Sequence, residues 1–90
     1  MTSPGESLET ARKRLLFRSW HRGTREMDLL LGHFAERNLP TFSRRQVELY
    51  AALLEYSDSD LYGWIAGREP PPAALGHDVM KLLINFKFTT

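Results

Sequence analysis

The sequence predicts an all-α protein, a small single-domain bundle of five helices. Three observations carry that expectation. Apolar residues recur at three- and four-residue steps in five separate segments. Capping residues, glycines and prolines fall at the joints between those segments. No alternating strand pattern occurs, apart from the terminal "NFKFTT".

Taken in order, residues 1–7 are small and polar and are expected to be a disordered tail, with the folded domain over 8–88. Leu8, Ala11, Leu15, Leu16 and Trp20 predict a first helix over about 8–22. Gly23 supplies the left-handed residue that commonly ends a helix, and Thr24 caps the next one. Met27, Leu30, Leu31, Phe34 and Ala35 form the second stripe, with Arg25, Asp28 and Glu36 elsewhere on that helix. The residue before a proline disfavours the helical region, so this helix stops before Leu39-Pro40. Ser43 and Gln46 have capping-box spacing, and Val47, Tyr50, Ala51 and Leu54 make the third stripe. Ser57-Asp58-Ser59-Asp60 starts a short fourth helix, its acids in the first turn where the dipole favours them. Leu61, Trp64 and Ile65 face inward there, and Gly67 ends it. "PPPA", residues 70–73, is a stiff linker whose last proline suits a helix start, and Leu75, Val79, Leu82, Leu83 and Phe86 are the fifth stripe.

Composition narrows the function. Ninety residues make one domain with one modest core. At 42% hydrophobic and 26% charged, the chain has the balance of a soluble globular protein. A net charge of +1 argues against a general affinity for nucleic acid or anionic membrane. Having no cysteine, the chain excludes disulfides, thiolate chemistry and thiolate-ligated metals, which fits a reducing compartment. Its longest apolar runs, such as Leu29–Leu31, are far too short to span a bilayer. "MTSPGESLET", with Glu6 and Glu9 and no apolar core, has the character of neither a secretory signal nor a transit peptide.

Enzyme signatures are missing. The glycines form no phosphate loop, and His21, His33 and His77 lack metal-pair spacing. Asp58 and Asp60 read as capping acids and Trp64 as core. No catalytic, cofactor-binding or metal-binding residue is therefore expected. The local signal is basic: Arg12, Lys13, Arg14, Arg18, Arg22 and Arg25 hold half of the chain's 12 Lys and Arg with no acid among them. Such a stripe suits phosphates or an acidic protein surface, and no nucleic-acid motif accompanies it.

Within it lies a corner, "WHRGTREMD" at residues 20–28. Arg22 ends one helix and Glu26 begins the next, each favoured by its helix dipole by about 0.3–1 kcal/mol. Gly23 avoids the roughly 1–2 kcal/mol that a β-carbon costs in the left-handed region. A sound turn thus accounts for much of the motif. It does not account for the concentration of charge.

Arg22-Gly23-Thr24-Arg25-Glu26 resembles the RGxxE signature of the succinate dehydrogenase assembly factor 2 family, the FAD assembly factors. "RLLFRSWHRG", "LLLGHFAERNL", "LYAALLE", "SDSDLYGWI" and "HDVMKLLINF" resemble the family in order and spacing, so the likeness covers about residues 12–88. The resemblance implies a five-helix bundle. It implies a helper that is not an enzyme, which binds the flavoprotein subunit of succinate dehydrogenase, or of fumarate reductase in some bacteria. There it promotes covalent attachment of FAD to a histidine of that client. FAD would be the client's, with no cofactor of the helper's own. Arg22, Gly23 and Glu26 would lie at the client interface; Arg25, in a variable position of the signature, and Trp20, Arg18 and Arg14 beside it are further candidates. The family's mitochondrial members carry a transit peptide and its members longer basic tails, neither visible here, so a bacterial cytoplasmic protein is expected. It would be a monomer alone and a heterodimer with its client, without membrane insertion and without nucleic acid. The competing expectations are a nucleic-acid-binding helical module built on Arg12–Arg25 and an adaptor for another partner.

Overall fold

The computed structural model describes residues 5–86. Five α-helices are present: α1 (Leu8–Trp20), α2 (Arg25–Asn38), α3 (Arg44–Leu53), α4 (Asp58–Ile65) and α5 (Asp78–Asn85). Two 3₁₀ turns, Leu39–Thr41 and Ala73–Leu75, complete the chain, and no strand occurs among the described residues. Helix α1 packs on α2 and α3, while α5 packs on α3 and α4. The all-α, five-helix expectation holds. "KFTT" and the domain edge at 88 lie outside the described residues, as do residues 1–4 of the expected tail.

Local chemistry explains most boundaries. Ser7, Thr24, Ser43 and Ser57 each accept a hydrogen bond from a first-turn backbone N–H. The capping box at Ser43 and Gln46 closes in both directions. Ser7 and Glu6 lie within the expected tail, yet Ser7 caps α1 and Glu6 accepts two hydrogen bonds from Arg14, at 3.1 and 3.2 Å.

The core is built from all five helices around Phe34, whose ring meets Phe42, Tyr50 and Phe86 at centroid distances of 6.2, 5.5 and 5.4 Å. Its buried polar pair is Ser19 and Tyr50, with 2.6 Å between the hydroxyls, and the Ser19 hydroxyl also donates to the Leu15 carbonyl at 2.8 Å. Burial pushes the Tyr50 hydroxyl far above the ordinary phenol range, opposed only in part by its bond to Ser19.

Several expectations are corrected. Helix α1 ends at Trp20 rather than 22, because the amides of Arg22 and Gly23 turn to the Asp28 carboxylate instead of continuing the ladder. Helix α2 ends at Asn38, before Leu39-Pro40 as expected, but Leu39 itself keeps helical dihedrals in the 3₁₀ turn in spite of the proline after it. Its side chain is buried, and its carbonyl accepts from Arg12 Nε at 2.8 Å, which offsets the local preference. The fifth segment is not one helix. Pro72 leads into the 3₁₀ turn, the chain breaks at Gly76, and His77 caps α5 by accepting the Met80 amide on Nδ1 at 3.1 Å. The core face of α5 is Val79, Met80 and Leu83, so Leu82 falls on its flank, 43% exposed. Ile65 is only half-buried.

Trp20 lies flat over Gly32, where an added β-carbon would sit 2.2 Å from the indole. Gly32→Ala should therefore destabilise the protein by about 1–3 kcal/mol, the cost of overpacking, read by urea denaturation followed on tryptophan fluorescence.

The His77 cap carries a pH signature. Burial holds this imidazole below its ordinary value of 6.5. Its neutral form is thus favoured on folding, and the stability it contributes is complete above about 6.5 and falls as pH drops toward the lower folded value. Protection of the Met80 amide against hydrogen exchange should decline as pH falls below about 6.5. His77→Asn, which caps without titrating, should remove that decline.

Candidate functional site

The corner between α1 and α2 is fastened from two directions. On its backbone side, Asp28 Oδ1 accepts from the amides of Arg22 and Gly23, the latter at 3.2 Å, while Thr24 Oγ1 caps α2 from the Met27 amide at 3.3 Å. Gly23 sits at φ +135°, a region that side chains rarely adopt. The other fastening is the Arg22 side chain. Nε donates to Asp58 Oδ1 at 2.8 Å, Nη1 to the Leu54 carbonyl at 2.6 Å and Nη2 to the Tyr56 carbonyl at 2.6 Å. The side chains of Arg22 and Asp58 are only 11% and 24% exposed. Hydrogen bonds that involve a charged group contribute about 1.5–3 kcal/mol each, so this joint is among the strongest polar features of the fold.

What the corner leaves outside is different in kind. Arg25 and Glu26 are exposed and make no ion pair or hydrogen bond with the described residues. Glu26 lines an open groove of about 590 Å³ with Thr24 and Met27 of the corner and Asp58, Ser59 and Tyr62 of α4. Tyr62 is partly exposed, and the Arg68 guanidinium stands 5.3 Å over its ring.

The remaining sequence candidates lie along α1 and each has an intramolecular partner. Arg18 Nη2 donates to Glu55 Oε2 at 2.9 Å, and that bond first, with the arginine's charge second, holds the Glu55 carboxyl below the usual range. Arg14 pairs with Glu6, and Lys13 lies 3.5 Å from Glu9. Arg12 donates to the Leu39 and Phe42 carbonyls at 2.8 and 2.6 Å. Trp20 is half-buried between α1 and α2, donating from Nε1 to Glu36 at 3.1 Å with its ring edge-on to His33. The basic stripe of the sequence is thus largely engaged within the fold.

Asp58 was expected to be only a capping acid; Ser57 performs the capping and Asp58 receives Arg22. Asp28, expected simply on the helix surface, binds the corner amides. Ser59 and Tyr62 carried no signal in the sequence that would join them to the corner. Among the described residues there is no group of three or more His, Asp or Glu arranged to hold a metal ion, and no helix long and apolar enough to cross a membrane.

Fold and corner together define a small helical domain with an internally clamped joint and, at its edge, a carboxylate unpaired among the described residues. Residues 13–87 match the family described as flavinator of succinate dehydrogenase, and the chain belongs to that family. It is 42% identical over 82 residues to succinate dehydrogenase assembly factor 2-A, mitochondrial, of Drosophila persimilis, covering 89% of this chain and 51% of that protein. It is 41% identical over 71 residues to succinate dehydrogenase assembly factor 2, mitochondrial, of Caenorhabditis briggsae, covering 77% of this chain and 58% of that protein. The chain thus spans little more than half the length of these curated relatives.

Two substitutions separate strain from exposure at the corner. A β-carbon at Gly23 would meet only Asp58 Oδ2, at 3.9 Å, so space is not limiting. Gly23→Ala should nonetheless cost about 1–3 kcal/mol through backbone strain alone. Glu26→Ala should stay within about 0.5 kcal/mol of the parent, as an exposed residue whose side chain has no partner among the described residues. Equilibrium urea denaturation of both variants checks the pair.

Proposed function

We propose that this protein is an assembly factor that binds the flavoprotein subunit of succinate dehydrogenase and promotes covalent attachment of FAD to it. Membership of the flavinator family supports that role. One observation supports putting the contact at the corner. Within the Arg22–Glu26 motif, Glu26 stands exposed and unpaired among the described residues, beside a groove, on a corner held rigid from within. Gly23, Arg25 and Glu26 are the contact residues in this account. Arg14, Arg18 and Trp20 form only its flank, because each already has a partner in the fold.

The mechanism requires no catalytic group on the helper. The bond joins flavin to a client histidine, so its chemistry belongs to the client. A helper that binds best to the client conformation aligning flavin and histidine, and excluding water, raises the population that reacts. A glycine at 23 lets the partner backbone approach closely, and the Glu26 carboxylate suits backbone amides or an arginine of the client. FAD is the client's cofactor here, and the protein acts as a monomer that forms a one-to-one complex. Its place of action is the client's: the relatives are mitochondrial by name, and the bacterial cytoplasm expected from the sequence belongs to the same proposal. Engagement of Arg12, Lys13, Arg14, Arg18 and Arg22 within the fold weighs against the nucleic-acid alternative.

In-gel flavin fluorescence of the denatured flavoprotein subunit tests this role, with the gene deleted and then restored. The covalent signal should fall on deletion and return with the parent gene, and Glu26→Ala should fail to restore it while accumulating as folded protein. An undiminished signal on deletion would contradict the assignment.

A further inference from the structure

Arg22 is the basic residue of the motif least able to reach a partner. Its Nε, Nη1 and Nη2 are all committed, to three acceptors that lie 36, 32 and 34 residues away in sequence. The planar guanidinium matches that fork of acceptors as no other side chain does. The acceptors also sit where a cation is wanted. Helix α3 has no basic residue in its last turn, and the carbonyls of Leu54 and Tyr56 follow its C-terminal end, where the dipole is negative. Asp58 is the first residue of α4, where the dipole is positive. One arginine from the α1–α2 corner thus satisfies the end of α3, meets the acid that opens α4 and closes the joint between them.

We infer that Arg22 is a positioning residue: it locks the α1–α2 corner to the α3–α4 turn from inside. The contacts to the partner are then made by what it holds in place, namely the Gly23 backbone, Glu26 and, across the groove, Ser59 and Tyr62 of α4. In its partner half this inference rests on the assembly role proposed above. The bidentate chemistry for which an arginine suits such a motif is used, but within the molecule.

A melting and binding cycle on the full chain tests it, with purified flavoprotein subunit of succinate dehydrogenase as the probe. Arg22→Met and Asp58→Asn should each lower the melting temperature by several degrees, and the double variant should melt no lower than Arg22→Met alone. Arg22→Lys keeps the charge without the fork and should recover only part of the loss; it also keeps the test readable if Arg22→Met fails to fold. At a temperature where each variant is folded, Arg22→Met and Asp58→Asn should weaken binding together by roughly tenfold or more, again without additivity. Tyr62→Ala and Glu26→Gln should weaken binding with the melting temperature unmoved. An unchanged melting temperature for Arg22→Met, or additive losses in the double variant, would overturn the clamp. Weak binding by Arg22→Met with normal binding by Asp58→Asn would overturn the positioning role in favour of direct contact. If the parent chain does not bind the subunit, the assembly role and the partner half fall together, while the melting cycle still decides the clamp.

Discussion

The joint between the α1–α2 corner and the α3–α4 turn depends on a single guanidinium. Arg22 follows the end of α1 and donates to two backbone carbonyls and one carboxylate of the α3–α4 turn, with its side chain largely buried. Removing one partner from such an arrangement leaves the others desolvated and unsatisfied, so the cost exceeds that of an exposed ion pair by several-fold. Arg12 repeats the device near the start of the same helix, clasping the carbonyls of Leu39 and Phe42 between α2 and α3. Helix α1 therefore acts as a strap. Its apolar face supplies Ala11 and Leu15 to the core, while Arg12 within it and Arg22 just beyond its end tie down both connections of α3.

That arrangement changes the meaning of the basic segment. Six cations without an intervening acid look like a surface built for a polyanion. In three dimensions the acids and carbonyls they need come from elsewhere in the chain: Glu6, Glu9, Glu55, Asp58 and the loop carbonyls. Arg25 is the exception, exposed at the start of α2 beside Glu26. For a protein proposed to act by docking, such a corner has a clear use. A rigid joint loses little conformational freedom on binding, so more of the contact energy remains to favour the reactive conformation of the client.

The features legible in the sequence were those fixed over short distances. The Ser43–Gln46 capping box, the Thr24 cap and the stripe of α2 each depend on residues within one or two turns, and each forms as expected. Leu82 was misplaced because a run of apolar residues does not say which flank lacks a neighbour. The break before α5 was hidden because a proline announces a helical start without fixing its type; the 3₁₀ turn and the His77 cap follow from Gly76 and from packing. At the corner, Gly23 was visible from its local chemistry, whereas the partners of Arg22 were not. Asp58, Leu54 and Tyr56 are joined to it only by the fold, and Asp58 had a sufficient local explanation as a first-turn acid. Ser59 and Tyr62 enter the site for the same reason, because Arg22 brings the start of α4 beside Glu26.

The central claim is that this protein accelerates flavin attachment by holding the client rather than by chemistry of its own. Reconstitution from purified components tests it most directly: the flavoprotein subunit free of covalent flavin, with FAD, with and without this chain, scored by covalent flavin over time. The account predicts faster accumulation of covalent flavin in the presence of the chain, saturating as the complex fills, with the chain recovered unmodified. Equal rates with and without it, at concentrations where the two proteins are shown to be associated, would contradict it.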